Sequence, residues 1–478
     1  MIENTFAYPS LMRYFEEISA IPRGSYHEEK LSDYLESFAK ERGLSYERDA
    51  LGTVLIRKGA TAGMESCAPI LLQGHTDMVC EKNEGVTHDF SRDALQLYVK
   101  DGWLRARGTT LGADDGVAVA AMLAILDGAA KAHPPLECLF TVSEEVGLDG
   151  IKAFDLSKIT ARRMINMDSA DENSIIVGCA GGLRSSVTIP VSREACDGSR
   201  FRLTLTGLAG GHSGEDINRG RENSCKLMGR ILWALGKGDP SLRLVQVKGG
   251  SKDNAIPREA EAVIAVSDVD AVRSALHAVS CEIKSELCGD DRAFSVSLAS
   301  VSCDTPAMTE QSTRQILFLL STVANGVFAV NHELDGLVEF SRNLGITESR
   351  EAEVEFVFSS RSARDSQIDR SAAELDAYAA ELGGSVRHYN RYPGWVYAEQ
   401  SPLRDQYVAA YRSVYGKDPK QEIIHAGLEC GIVKEAIPDM DILSCGPVVL
   451  NLHSPDEALE LSSFARFFAV ILKLLQWK

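Results

Sequence analysis

The sequence predicts an α/β protein carrying an inserted α+β domain, and three observations lead to that reading. Between residues 70 and 167 short apolar runs alternate with a helical pattern, the βαβ rhythm of a mostly parallel sheet flanked by helices. Past Gly181-Gly182 the texture changes to period-two alternation, the pattern of strands with one wet face. After Tyr392-Pro393-Gly394 the α/β texture returns. The expected boundaries are therefore 1–182 and 395–478 for the two segments of the outer domain and 183–394 for the insertion.

Taken in order, the apolar run Ile70-Leu71-Leu72, with Gln73, is short enough for a buried strand, and residues 117–132 are Ala-rich, which favours helix because Ala gives up no side-chain freedom there. Residues 136–142 and 164–167 supply a second and a third buried strand. In the insertion, Phe201-Arg202-Leu203-Thr204-Leu205-Thr206 and Phe294-Ser295-Val296-Ser297-Leu298 alternate apolar with polar. There is also an internal echo: Arg258-Glu259-Ala260-Glu261 with its apolar run returns 92 residues later as Arg350-Glu351-Ala352-Glu353. Each copy precedes a helical pattern, at 269–287 and 368–382, so the insertion is expected to be an internally duplicated α+β unit. The return segment offers a helix over Pro402–Tyr415, a strand at 442–445 and an amphipathic helix at 461–476.

Composition narrows the function. At 478 residues the chain is long enough for two or three domains, and 45% apolar residues are ordinary for a globular protein. Fifty Lys and Arg face 68 Asp and Glu, and a net charge of -18 repels nucleic-acid phosphates and anionic membrane surfaces, so neither is expected as a partner. Eleven scattered cysteines without a C-x-x-C make neither a disulfide framework nor a thiolate zinc site. The longest apolar run, 117–126, is far short of the ~20 residues that cross a bilayer, and Glu3, Arg13, Glu16 and Glu17 interrupt the N-terminus where an export signal needs an apolar stretch. A cytoplasmic location is expected.

The chemistry gathers at strand ends, where ligands of α/β proteins collect. The strand from residue 70 runs into Gly74-His75-Thr76-Asp77, the second into Ser143-Glu144-Glu145, the third into Asp168, and the strand at 442–445 is followed by His453. Gly112-Ala113-Asp114-Asp115-Gly116 stands at the N-terminus of the Ala-rich helix, where negative charge is favourable. Singly, these motifs read as surface hydrogen bonds, a helix cap and solvated turns. Together they place His, Asp, Glu, Asp and His at one edge of one sheet. That donor set suits two divalent ions bridged by a carboxylate, zinc first and manganese or cobalt next.

These motifs, with Gly210-Gly211-His212-Ser213-Gly214 and Leu452-His453-Ser454-Pro455-Asp456-Glu457, resemble in order those of the di-zinc metallopeptidase family of carnosinases, peptidase T and aminoacylases. Asn254-Ala255-Ile256-Pro257-Arg258-Glu259-Ala260 and His425-Ala426-Gly427-Leu428-Glu429-Cys430-Gly431 resemble the aminoacyl-histidine dipeptidase branch of that family. The resemblance implies a zinc-peptidase catalytic domain with an inserted lid that closes over a small peptide substrate. It implies that Asp114 bridges the metals, that His75 and Asp168 complete one ion and Glu145 and His453 the other, and that the bond after Asp114 is cis. It further implies that Asp77 fixes the His75 ring, that Glu144 is the general base, and that His212 steadies the oxyanion. Arg361 has two readings, a clasp for the substrate carboxylate assisted by Asn254, or a solvated strand end. Glu429 likewise reads the substrate amine or is a buried structural carboxylate. The expected activity is hydrolysis of dipeptides such as β-Ala-His. The alternatives are an aminoacylase-type amide hydrolase and a catalytically silent metal- or peptide-binding protein, against which an intact Glu144 speaks. The resemblance leaves monomer and homodimer both open. An insertion of ~200 residues is about twice what one α+β unit needs, so the duplicated half is expected to stand in for a partner subunit.

Overall fold

The structure, a computed structural model, describes residues 6–331 and 337–477, so Glu3 lies outside the described residues. The chain divides into two compact units: Met1–Cys179 with Trp395–Ile423 and Leu428–Lys478, and Ala180–Gly394 with Ile424–Gly427. The sequence places all of 395–478 in the outer domain; the short stretch Ile424–Gly427 instead belongs to the second unit. The cause is local bonding, since the Ala180 amide donates to the carbonyls of Ile424 and Ala426 and the His425 ring meets Ser341.

The first unit is built on an eight-stranded sheet. Its centre is parallel: Leu136–Thr141, Ile70–His75, Arg163–Asn166 and Asp441–Ser444 lie side by side, and antiparallel strands flank them. Ile70–His75 and Leu136–Thr141 are buried at every position, which is why their apolar residues fall on both faces instead of alternating. The Ala-rich helix spans Ala113–Leu126 and is buried on nearly all sides. Asp114 and Asp115 are not helical in φ and ψ, so regular helix starts at Gly116, one residue before the predicted start; it ends six residues sooner than predicted, because Gly128 takes a left-handed φ of +104° that cannot continue a helix. Its small side chains let it lie close against the sheet: a Cβ on Gly74 would come within 2.3 Å of the Ala118 Cβ. The remaining predicted elements appear within a few residues, as the strand Asp441–Ser444 and the helices Pro402–Tyr415 and Leu461–Leu475. No described helix is long and apolar enough to cross a membrane.

The second unit holds a sheet whose strand order shows the duplication. From one edge it runs Ser295–Ser300, Ser199–Thr206, Ala260–Val266, Arg243–Gly249; from the other edge it runs Ser385–Tyr392, Gly181–Pro190, Glu353–Ser362, Val338–Ser349. The two halves join where Lys248 and Gly249 pair antiparallel with Glu348 and Thr347. Both copies of the sequence echo are a strand, a helix and a strand: Ala260–Val266 leads through Val269–Glu286 to Ser295–Ser300, and Glu353–Ser362 leads through Asp365–Glu381 to Ser385–Tyr392. Helices Ser224–Gly238, Val269–Glu286, Glu310–Thr322 and Asp365–Glu381 bury Leu227, Leu276, Leu320 and Leu375 in a core separate from that of the first unit.

Candidate active site

In the first unit, the carboxyl ends of the parallel strands place the predicted residues together. His75 ends its strand fully buried, with Nε2 2.9 Å from Asp114 Oδ1 and 4.0 Å from Asp168 Oδ1. The other Asp114 oxygen, Oδ2, lies 3.1 Å from His453 Nε2. His453 Nε2 is also 2.9 Å from Glu145 Oε1. Among the described residues, ligand atoms of His75, Asp114 and Asp168 lie within 4.8 Å of one another, as do those of Asp114, Glu145 and His453. The two groups share Asp114 and no other residue, and the bond from Asp114 to Asp115 is cis. Glu144 forms a third such group with His75 and Glu145, so distance alone does not separate base from ligand.

The electrostatics of the cluster call for cations. Burial, and then the neighbouring Asp114 charge, push Asp168 up to about 8. Burial also raises Glu144 well above the ordinary carboxylate range, with Asp168 and Glu145 adding to it. Although its own burial opposes it, Asp114 is held below that range by hydrogen bonds to His453 and His75. The hydrogen bond with Asp114 and the close Glu145 carboxylate lift His453 up to about 10. Among the described residues Glu145 Oε1 is buried with no hydrogen-bond donor, although His453 Nε2 stands 2.9 Å away. Crowded carboxylates around two imidazoles, one oxygen orphaned, fit the oxygen and nitrogen ligand set of divalent zinc-type ions.

Beneath these residues lies a layer of braces. Asp77 meets His75 Nδ1 at 3.3 Å and also accepts the backbone amides of Glu144 and Glu145 at 3.0 and 3.2 Å, so one carboxylate faces the His75 ring and holds the turn that carries Glu144 and Glu145. Glu28 accepts the amide and hydroxyl of Ser143, whose φ of +52° bends that turn. Arg23, buried, donates to the carbonyls of Thr76, Asp77 and Gly112. Glu457 accepts the amides of Leu111, Gly112, Ala113 and Asp114 at 2.7, 2.9, 2.8 and 3.4 Å. It thereby ties the His453 segment to the segment that presents Asp114. Glu429 is fully buried; Oε2 accepts from Gln73 and, at 2.7 Å, from Thr141, and burial pushes its carboxyl up to about 7.

The second unit brings His212 and Arg361 to one place. His212 lies on Gly211–His212, which pairs with Ala255–Ile256. Its Nδ1 accepts the Glu215 amide at 3.2 Å, and burial, with Arg361 nearby, lowers its pKa. The neutral ring therefore carries its proton on Nε2, free to donate. Arg361 is 4% exposed; Nη1 donates to the Tyr392 hydroxyl at 3.1 Å and Nε has no partner among the described residues. Asn254 is exposed, its carbonyl accepting the Ser213 amide at 2.8 Å, and no hydrogen bond joins it to Arg361 among the described residues. His425 Nε2 lies 2.7 Å from Ser341 Oγ, and burial followed by Arg361 brings its pKa down to about 3. Of the residues missed as braces, Glu457 and His425 stood inside quoted motifs, whereas Arg23 and Glu28 lie in an N-terminal segment with no such signal.

Comparison with known proteins extends the picture. Residues 71–477 match the family described as Peptidase family M20/M25/M40. The chain is 40% identical over 466 residues to the cytosol non-specific dipeptidase of Escherichia coli (strain K12), covering 97% of this chain and 96% of that one. The crystal structure of aminoacylhistidine dipeptidase from Vibrio alginolyticus superposes with a TM-score of 0.91 at 36% identity, covering 99% of this chain and 97% of that one. The aminopeptidase PepT structure from Bacillus cereus ATCC 10987, at 15% identity and a TM-score of 0.56 over 98% of this chain and 97% of that one, shares the fold.

Proposed function

The chain belongs to peptidase family M20/M25/M40, and from that premise we propose that it is a metal-dependent dipeptidase acting on Xaa-His peptides such as β-Ala-His and on broader dipeptides. The observation that carries the reading is the pair of three-residue ligand groups sharing Asp114, with the extra carboxylate of Glu144 beside them. His75, Asp114 and Asp168 would hold one divalent ion and Asp114, Glu145 and His453 a second, zinc first and manganese or cobalt next. Such ions supply Lewis-acid polarisation of a carbonyl and a water acidic enough to attack at neutral pH.

The chain's own residues do the rest. Asp77, accepting from Nδ1, leaves His75 Nε2 as the ligand nitrogen. Glu144 takes the proton of the attacking water at its carboxylate and delivers it to the leaving amine. His212, protonated on Nε2, donates to the developing oxyanion. Arg361 receives the substrate's free carboxylate, supported by its burial without an acidic partner among the described residues, and Asn254 assists from the turn bonded to Ser213. The burial of Glu429 supports its role as a brace for Gln73 and Thr141 over contact with a substrate amine. In this proposal the first unit carries the hydrolytic chemistry and the second the recognition of the peptide. The name of the Escherichia coli relative places that protein in the cytosol, and the same compartment is proposed for this chain.

Incubation with β-Ala-His, Ala-His and N-acetyl-amino acids, with and without a chelator, tests the reading. Chelator-sensitive cleavage of the two dipeptides is expected. Cleavage of the N-acetyl compounds alone would make the chain an aminoacylase-type enzyme, and turnover of nothing would make it a binding protein.

A further inference from the structure

Tyr392 stands where three strands of the second unit meet a glycine. Gly181–Pro190 is the middle strand, and Gly182 is opposite Arg361 on one side and opposite Tyr392 on the other. A Cβ on Gly182 would come within 2.5 Å of Tyr392 Cζ and Oη, so the absent side chain is what lets the phenol cross the strand to Arg361 Nη1. Gly427 makes room for another edge of the ring, since a Cβ there would lie 2.6 Å from Tyr392 Cε2. Two glycines on different segments thus accommodate one hydroxyl that accepts one proton of one arginine.

A guanidinium offers two forks for a carboxylate, Nη1 with Nη2 at its end and Nε with Nη2 at its side. With Nη1 engaged by Tyr392, the side fork remains, and its Nε is buried without a partner among the described residues. Gly214 lies beside it: a Cβ there would be 3.4 Å from Arg361 Nε and 3.2 Å from His212 Cε1. Nε, buried without a partner among the described residues, therefore lies on the same side of Arg361 as His212.

We infer that Tyr392 is a positioning residue for the substrate's C-terminal carboxylate: it holds Nη1 so that Arg361 presents its side fork, Nε and Nη2, toward His212. The inference rests on the proposed reading of Arg361 as the carboxylate clasp. The ligand class it selects is a short peptide ending in a free α-carboxylate, and the discrimination lies in binding and not in the chemical step.

Steady-state kinetics on the full, metal-loaded chain with free and C-terminally amidated dipeptides tests it in two arms. Arg361→Ala comes first and should raise KM for the free substrates far more than for the amidated ones; an equal effect on both refutes the clasp whatever Tyr392 does. With that arm passed, Tyr392→Phe, which keeps the ring between its glycines, should raise KM for free dipeptides by about ten-fold, the scale of one hydrogen bond to a charged group, while kcat, KM for amidated substrates and metal content stay within about two-fold. Competitive inhibition by a free amino acid against its amide should show the same selective loss without turnover. An unchanged KM for free dipeptides, or a rise shared equally by amidated ones, overturns the inference.

Discussion

Glu144 and Glu145 hang from the same support, because both of their amides donate to Asp77, yet their side chains are assigned different work. Glu144→Gln should lower kcat by ~10² to 10⁴, the range for loss of a general base, with metal content unchanged. Glu145→Gln should lower metal content first, and metal analysis of both variants checks the division; equal losses would merge the two roles. His425 offers a test by pH. Its folded pKa of about 3 lies below the ordinary histidine value, so below neutrality the unfolded chain takes up a proton that the native second unit refuses. Stability from this residue is present above an ordinary histidine pKa of about 6.5 and is lost as pH falls toward 3, at up to about 1.4 kcal/mol per pH unit. His425→Asn should flatten that acid limb in denaturant titrations from pH 7 to pH 4; parallel curves would count against it. At this scale the cluster of His75, Asp114, Glu145, Asp168 and His453 was legible because these residue types at such spacing are chemically demanding. Tyr392 was not, because a tyrosine after period-two alternation resembles any other strand residue until the register sets it across Gly182.

The helix Ala113–Leu126 and the strand Ile70–His75 approach so closely that Gly74 has no room for a Cβ. Gly74→Ala would bring a methyl within 2.3 Å of the Ala118 Cβ and 2.4 Å of Asp115 Oδ2, and should cost about 1–3 kcal/mol as overpacking does. Thermal unfolding of the metal-free protein measures it, and a neutral result would mean the helix slides freely. Glu457 is the brace between two segments of distant sequence, and Glu457→Gln turns an acceptor of four amides into a mixed donor and acceptor. Metal affinity should drop by about 10- to 100-fold, as when other outer supports are lost, measured by competition with a chelator. Elements were legible where an apolar run or an Ala-rich stretch sets the period. The end of the helix Ala113–Leu126 was less so, because the stop is set by Gly128, which an apolar pattern does not register.

Each unit has its own apolar core, and every proposed metal ligand belongs to the first. A ligand that binds only the native state stabilises it by RT ln(1 + [L]/Kd), about 4 kcal/mol at a thousand-fold excess over Kd. Calorimetry should therefore show chelation lowering the transition of the first unit while that of the second stays in place; a common shift would mean the cores unfold as one. The insertion and its echo were legible because texture and repeat survive in composition. The mirrored strand order was not, because the second half of the duplicated sheet takes its middle strand, Gly181–Pro190, from before the first half. That nesting sets a timetable for biosynthesis. The inner half is continuous from Ser199 to Ser300 and can close as soon as it is made, whereas Gly181–Pro190 waits for Glu353–Ser362, 163 residues on (353 − 190). At ~5–20 residues per second that is roughly 8 to 33 s with both edges unpaired. Nascent chains stalled after residue 300 should accordingly resist protease within the inner half and be cut within 181–190, an interval in which the emerging protein depends on the solubility of one strand.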